Sequence, residues 1–149
     1  MNSPSAEKSA AAAPPAEPFV WGLRVYYEDT DAGGVVYYAN YLKFAERART
    51  EWLRARGFEQ TDLARDHGVV FVVRSAAIDY LAPARFNDNL QVTVELIKVG
   101  ASQIELIQRV LRDGDTLASI AVKLACVRLA TMRATRMPRP LATRIRMEN

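Results

Sequence analysis

Two residue types that build many active sites are nearly missing: the chain has one cysteine, Cys126, and one histidine, His67. A single cysteine excludes an intrachain disulfide framework, a CxxC redox pair and a cysteine-rich zinc site, and it suits a reducing compartment, so a cytoplasmic protein is expected. A zinc hydrolase, or a Ser-His-Asp or Cys-His machine, would have to rely on His67. That residue lies in Asp66-His67-Gly68, a loop-like segment with nothing resembling a nucleophile elbow beside it. Metal and cofactor are therefore not expected. No run approaches the ~20 apolar residues of a membrane-spanning helix. Residues 1–18 contain alanines and several prolines but only Lys8 as a base. They lack the charged start and apolar run of a signal peptide and read as a disordered tail.

What is present is one domain's worth of ordinary globular chain: 149 residues, 50% hydrophobic and 25% charged. The formal net charge is +3, and much of the excess comes from Arg133, Arg136, Arg139, Arg144 and Arg146. Nucleic acid, acidic lipid head groups and the phosphates of a nucleotide-bearing substrate all suit that imbalance, so charge alone selects no partner. No RNA- or DNA-reading motif accompanies it, and nucleic acid is not expected.

The most informative stretch is Tyr26 to Gly57. Tyr41, Ala45, Ala48 and Trp52 recur on one helical face, with Lys43, Arg47, Arg49, Glu51 and Arg54 on the remainder. Gly57 supplies a residue able to take positive φ after the last turn, so the spacing predicts a helix of about 17 residues ending there. Ahead of it stands Glu28-Asp29-Thr30-Asp31-Ala32-Gly33-Gly34, an acidic turn with two glycines. A carboxylate just upstream of a helix start is favoured by the unpaired N–H groups there, which could also hold a developing oxyanion. The plain alternative is that Asp29 or Asp31 merely closes the turn or caps the helix.

Around this stretch the pattern is mostly extended. Alternation predicts strands over Phe19 to Tyr27, Val69 to Leu81, Leu90 to Val99, Ser102 to Arg112 and Thr116 to Leu129, with a short helical turn over Thr61 to Asp66. Asp113-Gly114-Asp115 is a hairpin turn and Pro83 ends a strand. The order is strand, helix, then four strands joined mainly by short turns, which means an antiparallel α+β domain with one helix on its sheet. We expect a domain over 19–131, between the tail of 1–18 and an Arg- and Pro-containing, mostly irregular tail over 132–149.

Asp29-Thr30-Asp31-Ala32-Gly33-Gly34-Val35-Val36-Tyr37-Tyr38-Ala39-Asn40-Tyr41, followed by Glu46-Arg47-Ala48-Arg49-Thr50-Glu51, resembles the signature of the 4-hydroxybenzoyl-CoA thioesterase-like hotdog family. Within that family it is most similar to the bacterial acyl-CoA thioesterase branch associated with the Tol-Pal envelope system. Phe71-Val72-Val73-Arg74 and Asp79 to Arg85 extend the likeness, which covers roughly residues 22 to 140. The resemblance implies a hotdog fold, a five-stranded antiparallel sheet wrapped around one long central helix, and hydrolysis of an acyl-CoA thioester. It implies that Asp31 is the catalytic carboxylate and that the backbone N–H near Tyr38 polarises the thioester carbonyl. Many members of the Tol-Pal branch carry His where this chain has Tyr38, whereas the aromatic-CoA branch accepts Tyr, which leaves the acyl preference open. It also implies a homodimer or homotetramer with the site at the subunit interface.

Within that reading Asp31 serves either as a nucleophile, giving a mixed anhydride, or as a general base on water. Backbone N–H groups of Val36, Tyr37 and Tyr38 are the oxyanion donors. Gly33 and Gly34 let the backbone approach the thioester or simply make the turn. The Tyr38 ring either hydrogen-bonds substrate or fills the pocket wall. Asp29 is better used to hold the turn, since two carboxylates so close would repel, and Glu46 is expected to pair with Arg49 on the helix. For the phosphates of CoA, Arg74, Lys98 and Arg128 are the candidates, with Ser102 in the Val99 to Ser102 hairpin. The second reading is a non-catalytic scaffold that binds acyl groups or acyl carrier protein for phospholipid-synthesis or envelope partners. Peripheral contact with a membrane is compatible with either.

Overall fold

β-branched and alternating segments form five long strands, here described within residues 18–147 of a computed structural model. They are β1 (Phe19–Arg24), β2 (Val69–Tyr80), β3 (Asn89–Val99), β4 (Gln103–Arg112) and β5 (Asp115–Arg128), joined by a two-residue strand β6 (Arg133–Ala134) beside β5. All pairs are antiparallel, in the order β1-β3-β4-β5-β2. The expected tail falls on residues outside the described range except for its last, Pro18. Asp113 and Gly114 take positive φ of 52° and 85°, which closes the β4–β5 hairpin as the Asp-Gly pair predicts.

Helix α1 (Asn40–Ala55) follows the acidic turn, and Gly57 beyond it has φ 89°. Tyr41, Ala45, Ala48 and Trp52 are buried as the spacing predicts, together with Phe44 and Leu53. The helix lies over β1 and β3. Phe44 and Trp52 enter the core with Val92, Leu106, Val110 and Ile120 from the sheet. Each large side chain so buried contributes about 1.5–3 kcal/mol of transfer free energy. The curled sheet and its helix are the hotdog arrangement.

Four expectations need correcting. β1 stops at Arg24 rather than reaching Tyr27, because the Asp29 carboxylate takes the Tyr26 N–H at 2.9 Å and turns the chain into a 3-10 turn over Tyr27–Asp29. Arg49 is buried rather than solvated. It donates to Gln108 Oε1 at 3.1 Å instead of pairing with Glu46, whose Oε2 accepts from Thr50. His67 closes a genuine helix, α2 (Gln60–His67), rather than sitting in a loop.

The fourth concerns the segment after 131, which is not mostly irregular: helix α3 (Arg139–Arg146) buries Leu141, Ala142 and Ile145. Pro138 and Pro140, which look like helix breakers in the sequence, stand at the N-cap and in the first turn. There the missing N–H costs nothing and the fixed φ favours helix.

Candidate active site

The strand β1 delivers the chain to the acidic turn, where the two aspartates meet different fates. Asp29 is buried and both its oxygens are committed. Oδ2 accepts from the Tyr26 N–H and Oδ1 from Asn40 Nδ2, each at 2.9 Å, while its carbonyl accepts the Tyr37 N–H. One carboxylate thus ties the strand end to the first residue of α1. That is the turn-holding role expected of it.

Asp31 is exposed. Its Oδ1 accepts the Gly33 N–H at 2.8 Å, its N–H donates to the Val35 carbonyl at 2.8 Å, and its own carbonyl accepts the Gly34 N–H at 3.0 Å. No described residue donates to Oδ2. Gly34 has φ 81°, which favours glycine there, and a Cβ on Gly33 would stand 3.3 Å from Oδ1, so a side chain at 33 would displace the carboxylate rather than the backbone. Bridges Thr30 to Val36 and Val35 to Arg85, with the Val36 N–H on the Ala84 carbonyl at 2.8 Å, pin the turn against the segment after β2.

The turn leads straight into the start of α1, where the N–H groups of Tyr38 and Ala39 donate to no described residue. The Val36 and Tyr37 N–H groups are already used, so of the three expected oxyanion donors only that of Tyr38 is open, joined by Ala39. Tyr80, at the end of β2, donates its hydroxyl to the Tyr38 carbonyl at 3.0 Å. Its ring packs edge-on against Tyr38 at 6.2 Å and Tyr41 at 5.5 Å. Burial, with Tyr38 and Tyr41 adding to it, pushes the Tyr80 hydroxyl above its usual pKa, so it remains a proton donor. Tyr37 is raised as well, by its neighbour Tyr38.

An open depression of about 300 Å³ is walled by Val36, Tyr38, Tyr41, Tyr80, Leu81 and Pro83. It takes in the Tyr38 side chain but neither Asp31 nor the glycines. A second, mostly apolar groove of about 370 Å³ runs along α1 beside β2, lined by Leu42, Lys43, Glu46, Arg49, Val73 and Ala76. It lies between α1, which packs mainly over β3 and β1, and the middle of β2. Arg49 forms part of its wall. Burial lowers the pKa of this guanidinium and the charge of Glu46 opposes that.

The expected phosphate contacts do not join this end within one subunit. Tyr80 pairs with Ala118, and Ala118 with Val110. Ser102 lies eight residues further along, about 26 Å at 3.3 Å per residue. Lys98 and Ser102 instead line a separate depression of about 250 Å³ at the β3–β4 hairpin. Arg74 stands at the β2 bulge between Val73 and Ser75, about 20 Å from Tyr80 along the strand. Arg128 donates to Thr135 at the hairpin end.

Sequence reasoning passed over Tyr80, Arg49 and Gln108. The signal for Tyr80 was present, an aromatic closing a strand just before Pro83. Arg49 carried none, since it reads as surface on its helix, whereas Gln108 stands in the inward register of Ile104, Leu106 and Val110, a polar residue on an apolar face that the alternation of β4 displays.

The model of the thioesterase-like superfamily matches residues 25–145. The chain belongs to that superfamily. It is 46% identical over 121 residues to the acyl-CoA thioesterase YbgC of Haemophilus influenzae, covering 81% of this chain and 89% of that one. Identity to the 1,4-dihydroxy-2-naphthoyl-CoA hydrolase of Thermosynechococcus vestitus is 30%, over 78% of this chain and 81% of the relative. Among solved structures, a probable thioesterase from Bartonella henselae superposes with a TM-score of 0.77 at 32% identity, covering 82% of this chain and all of that one. The matched region runs past residue 131 and takes in most of α3, which makes that helix part of the superfamily fold in this chain.

Proposed function

We propose that this member of the thioesterase-like superfamily hydrolyses acyl-CoA to free acid and CoA, with Asp31 as the catalytic carboxylate. The observation that carries the assignment is the division of labour in the turn. Asp29 has both oxygens filled, whereas Asp31 keeps Oδ2 open, and the N–H groups of Tyr38 and Ala39 at the end of the same turn donate to no described residue. The thioester carbonyl rests on those N–H groups, where the partial positive charge of the α1 start stabilises the oxygen as it becomes negative.

Two routes use the same groups. As base, Asp31 takes a proton from water, the hydroxide forms the new C–O bond, and the C–S bond breaks to release the thiol. As nucleophile, Asp31 forms the C–O bond itself, the thiolate leaves, and water then cleaves the mixed anhydride. Solvent label in the Asp31 carboxylate after a single turnover in heavy-oxygen water identifies the second route, since only water attack on the Asp31 carbonyl of the anhydride places it there. Gly33 and Gly34 set the turn, Val36 and Tyr37 shape its wall, and Tyr38 and Tyr80 enclose the acyl group.

The working unit in this reading is a homodimer, paired into a tetramer, with β2 as the contact edge. Support comes from the outer edge of β2, which is unpaired among the described residues and displays Val73, Tyr80 and, just past its end, Leu81. Across that contact Arg74, Lys98 and Ser102 of a second copy approach the CoA phosphates that they cannot reach from their own subunit. A cytoplasmic site of action follows from the substrate. Association with the Tol-Pal system, and acyl carrier protein as an alternative presenter of the acyl group, rest on the likeness of the signature.

The experiment is release of free thiol from short, long and aromatic acyl-CoAs by wild type, Asp31→Asn and Asp29→Asn. We expect Asp31→Asn to lose about a hundred- to ten-thousand-fold in kcat with the fold intact. Asp29→Asn turns an amide donor toward the Tyr26 N–H or loses the Asn40 bond, so it melts earlier, by about 1–3 kcal/mol, and keeps more activity. Equal loss in both variants would overturn the assignment of roles. No thiol release from any acyl-CoA by an assembled wild type would move the reading to an acyl-binding scaffold.

A further inference from the structure

The charge of the molecule is concentrated at one end. Residues 128–147 contain six arginines and no acid, whereas the whole chain carries +3, so the rest is net acidic. The fold gathers these arginines rather than spreading them. Arg128 and Arg133 face each other across β5 and β6. The Met137 N–H donates to the Ala101 carbonyl at 2.9 Å and Arg146 donates to the Gly100 carbonyl at 3.3 Å, which holds α3 against the β3–β4 hairpin. This is the end of the sheet away from Asp31.

Among the described residues no carboxylate pairs with Arg133, Arg136, Arg139 or Arg144. The nearby acids are otherwise placed: Glu105 stands opposite Lys98, and Asp66 is taken by Arg65 at 2.8 Å. Like charges directly opposite on neighbouring strands destabilise the pair, so Arg128 beside Arg133 is an arrangement the isolated fold gains nothing from. An external anion removes that repulsion.

Apolar side chains stand among these cations and point outward. Leu129 is 50% exposed and Met132 is 59% exposed at the β5–β6 turn, and Met147 at the end of α3 is 72% exposed. Clustered arginines interleaved with protruding Leu and Met, and no aromatic ring between 128 and 147, is the composition of a surface that rests on anionic head groups and dips its apolar tips beneath them. Single-stranded nucleic acid calls for stacking rings that this face lacks. We infer that the face formed by β6 and the exposed side of α3 docks on an anionic lipid bilayer, which leaves Lys98 and Ser102 of the β3–β4 hairpin to the second copy's CoA and the Asp31 turn open to soluble substrate.

The test is co-sedimentation of the full-length protein with vesicles of phosphatidylcholine alone and of equal parts phosphatidylcholine and phosphatidylglycerol, across a salt series. We expect binding to the anionic vesicles only, weakening as salt rises, and falling roughly fivefold for each arginine replaced in the series Arg133→Ser, Arg136→Ser, Arg139→Ser, Arg144→Ser. The paired change Leu129→Ser and Met132→Ser should weaken vesicle binding while leaving its salt dependence intact. Thiol release from soluble acyl-CoA should be unchanged in all of them. Equal sedimentation with neutral vesicles, none with either, or full binding by the fourfold arginine variant would each overturn the inference. So would variants that bind vesicles normally but raise KM for acyl-CoA, which would assign the arginines to CoA phosphates. Because catalysis is read on soluble substrate, failure of docking and failure of the thioesterase reading give different results.

Discussion

Asp29 and Asp31 stand two residues apart, yet one is a buried acceptor for the Tyr26 N–H and the Asn40 amide and the other is an exposed carboxylate with one oxygen to spare. The difference comes from the glycines that follow. Gly33 presents its N–H to Asp31 Oδ1 and has no Cβ to push that oxygen away. Gly33→Ala would place a methyl 3.3 Å from the carboxylate, closer than ordinary contact. Its φ lies outside the left-handed region, so the backbone is not strained. We expect the variant to melt close to wild type and to lose up to about a hundred-fold in kcat through a displaced carboxylate. A parallel loss of melting temperature and kcat would instead show that the turn itself had collapsed.

At the scale of elements, the segment between β2 and β3 buttresses the site, since Ala84 accepts the Val36 N–H and donates its own to the Tyr41 hydroxyl at 3.0 Å. Asp88 holds that segment in shape, accepting from Arg112 at 2.7 Å and from the Arg85 N–H at 2.8 Å. Burial pushes the Asp88 carboxyl up, but the Arg112 hydrogen bond, the Arg85 N–H and the two guanidinium charges outweigh it, and its pKa lies below the usual aspartate value. A lowered native pKa contributes stability that is present above the unfolded value of about 3.9 and is lost as the pH falls through the native value. Asp88→Asn should therefore melt below wild type at neutral pH, with the gap closing as the pH falls below the unfolded value and through the lowered native one. A gap that persists in acid would mean that packing, not charge, is responsible.

Helix α3 makes a second prediction at this scale. Leu141 and Ile145 are completely buried although their helix has Pro138 at its N-cap and Pro140 in its first turn. Leu141→Ala should cost about 2–5 kcal/mol of unfolding free energy in denaturant titration. A loose tail would show no such cost.

For the molecule as a whole, an open groove lies between α1 and β2, and among the described residues β2 ends the sheet with an unpaired edge of twelve residues. Exposed edges invite strand pairing, and Val73 lies half exposed at the middle of this one. Val73→Lys should shift the protein toward monomer in sedimentation velocity and lower thiol release in step, because the proposed site is completed by the second copy across this edge. A variant that remains assembled and fully active would place the subunit contact elsewhere.

Local pattern determined much of this protein. Period-two alternation marked the strands to within a few residues, the Asp113-Gly114 pair marked its hairpin, and Tyr41, Ala45, Ala48 and Trp52 marked the inward face of α1, because each depends on neighbours no more than a turn away. The acidic Gly-Gly stretch ahead of a helix was likewise legible as a turn. What local pattern left open was which carboxylate is committed, since that depends on Tyr26 and Asn40 meeting Asp29 across the turn. Tertiary structure alone decided that Arg49 turns inward to Gln108, 59 positions away along the chain. It alone brought Tyr80 over the start of α1, and α3 to the far end with its arginines gathered there. Each of these is a contact between segments distant in sequence, and side-chain periodicity within one segment carries no information about the partner that another will supply.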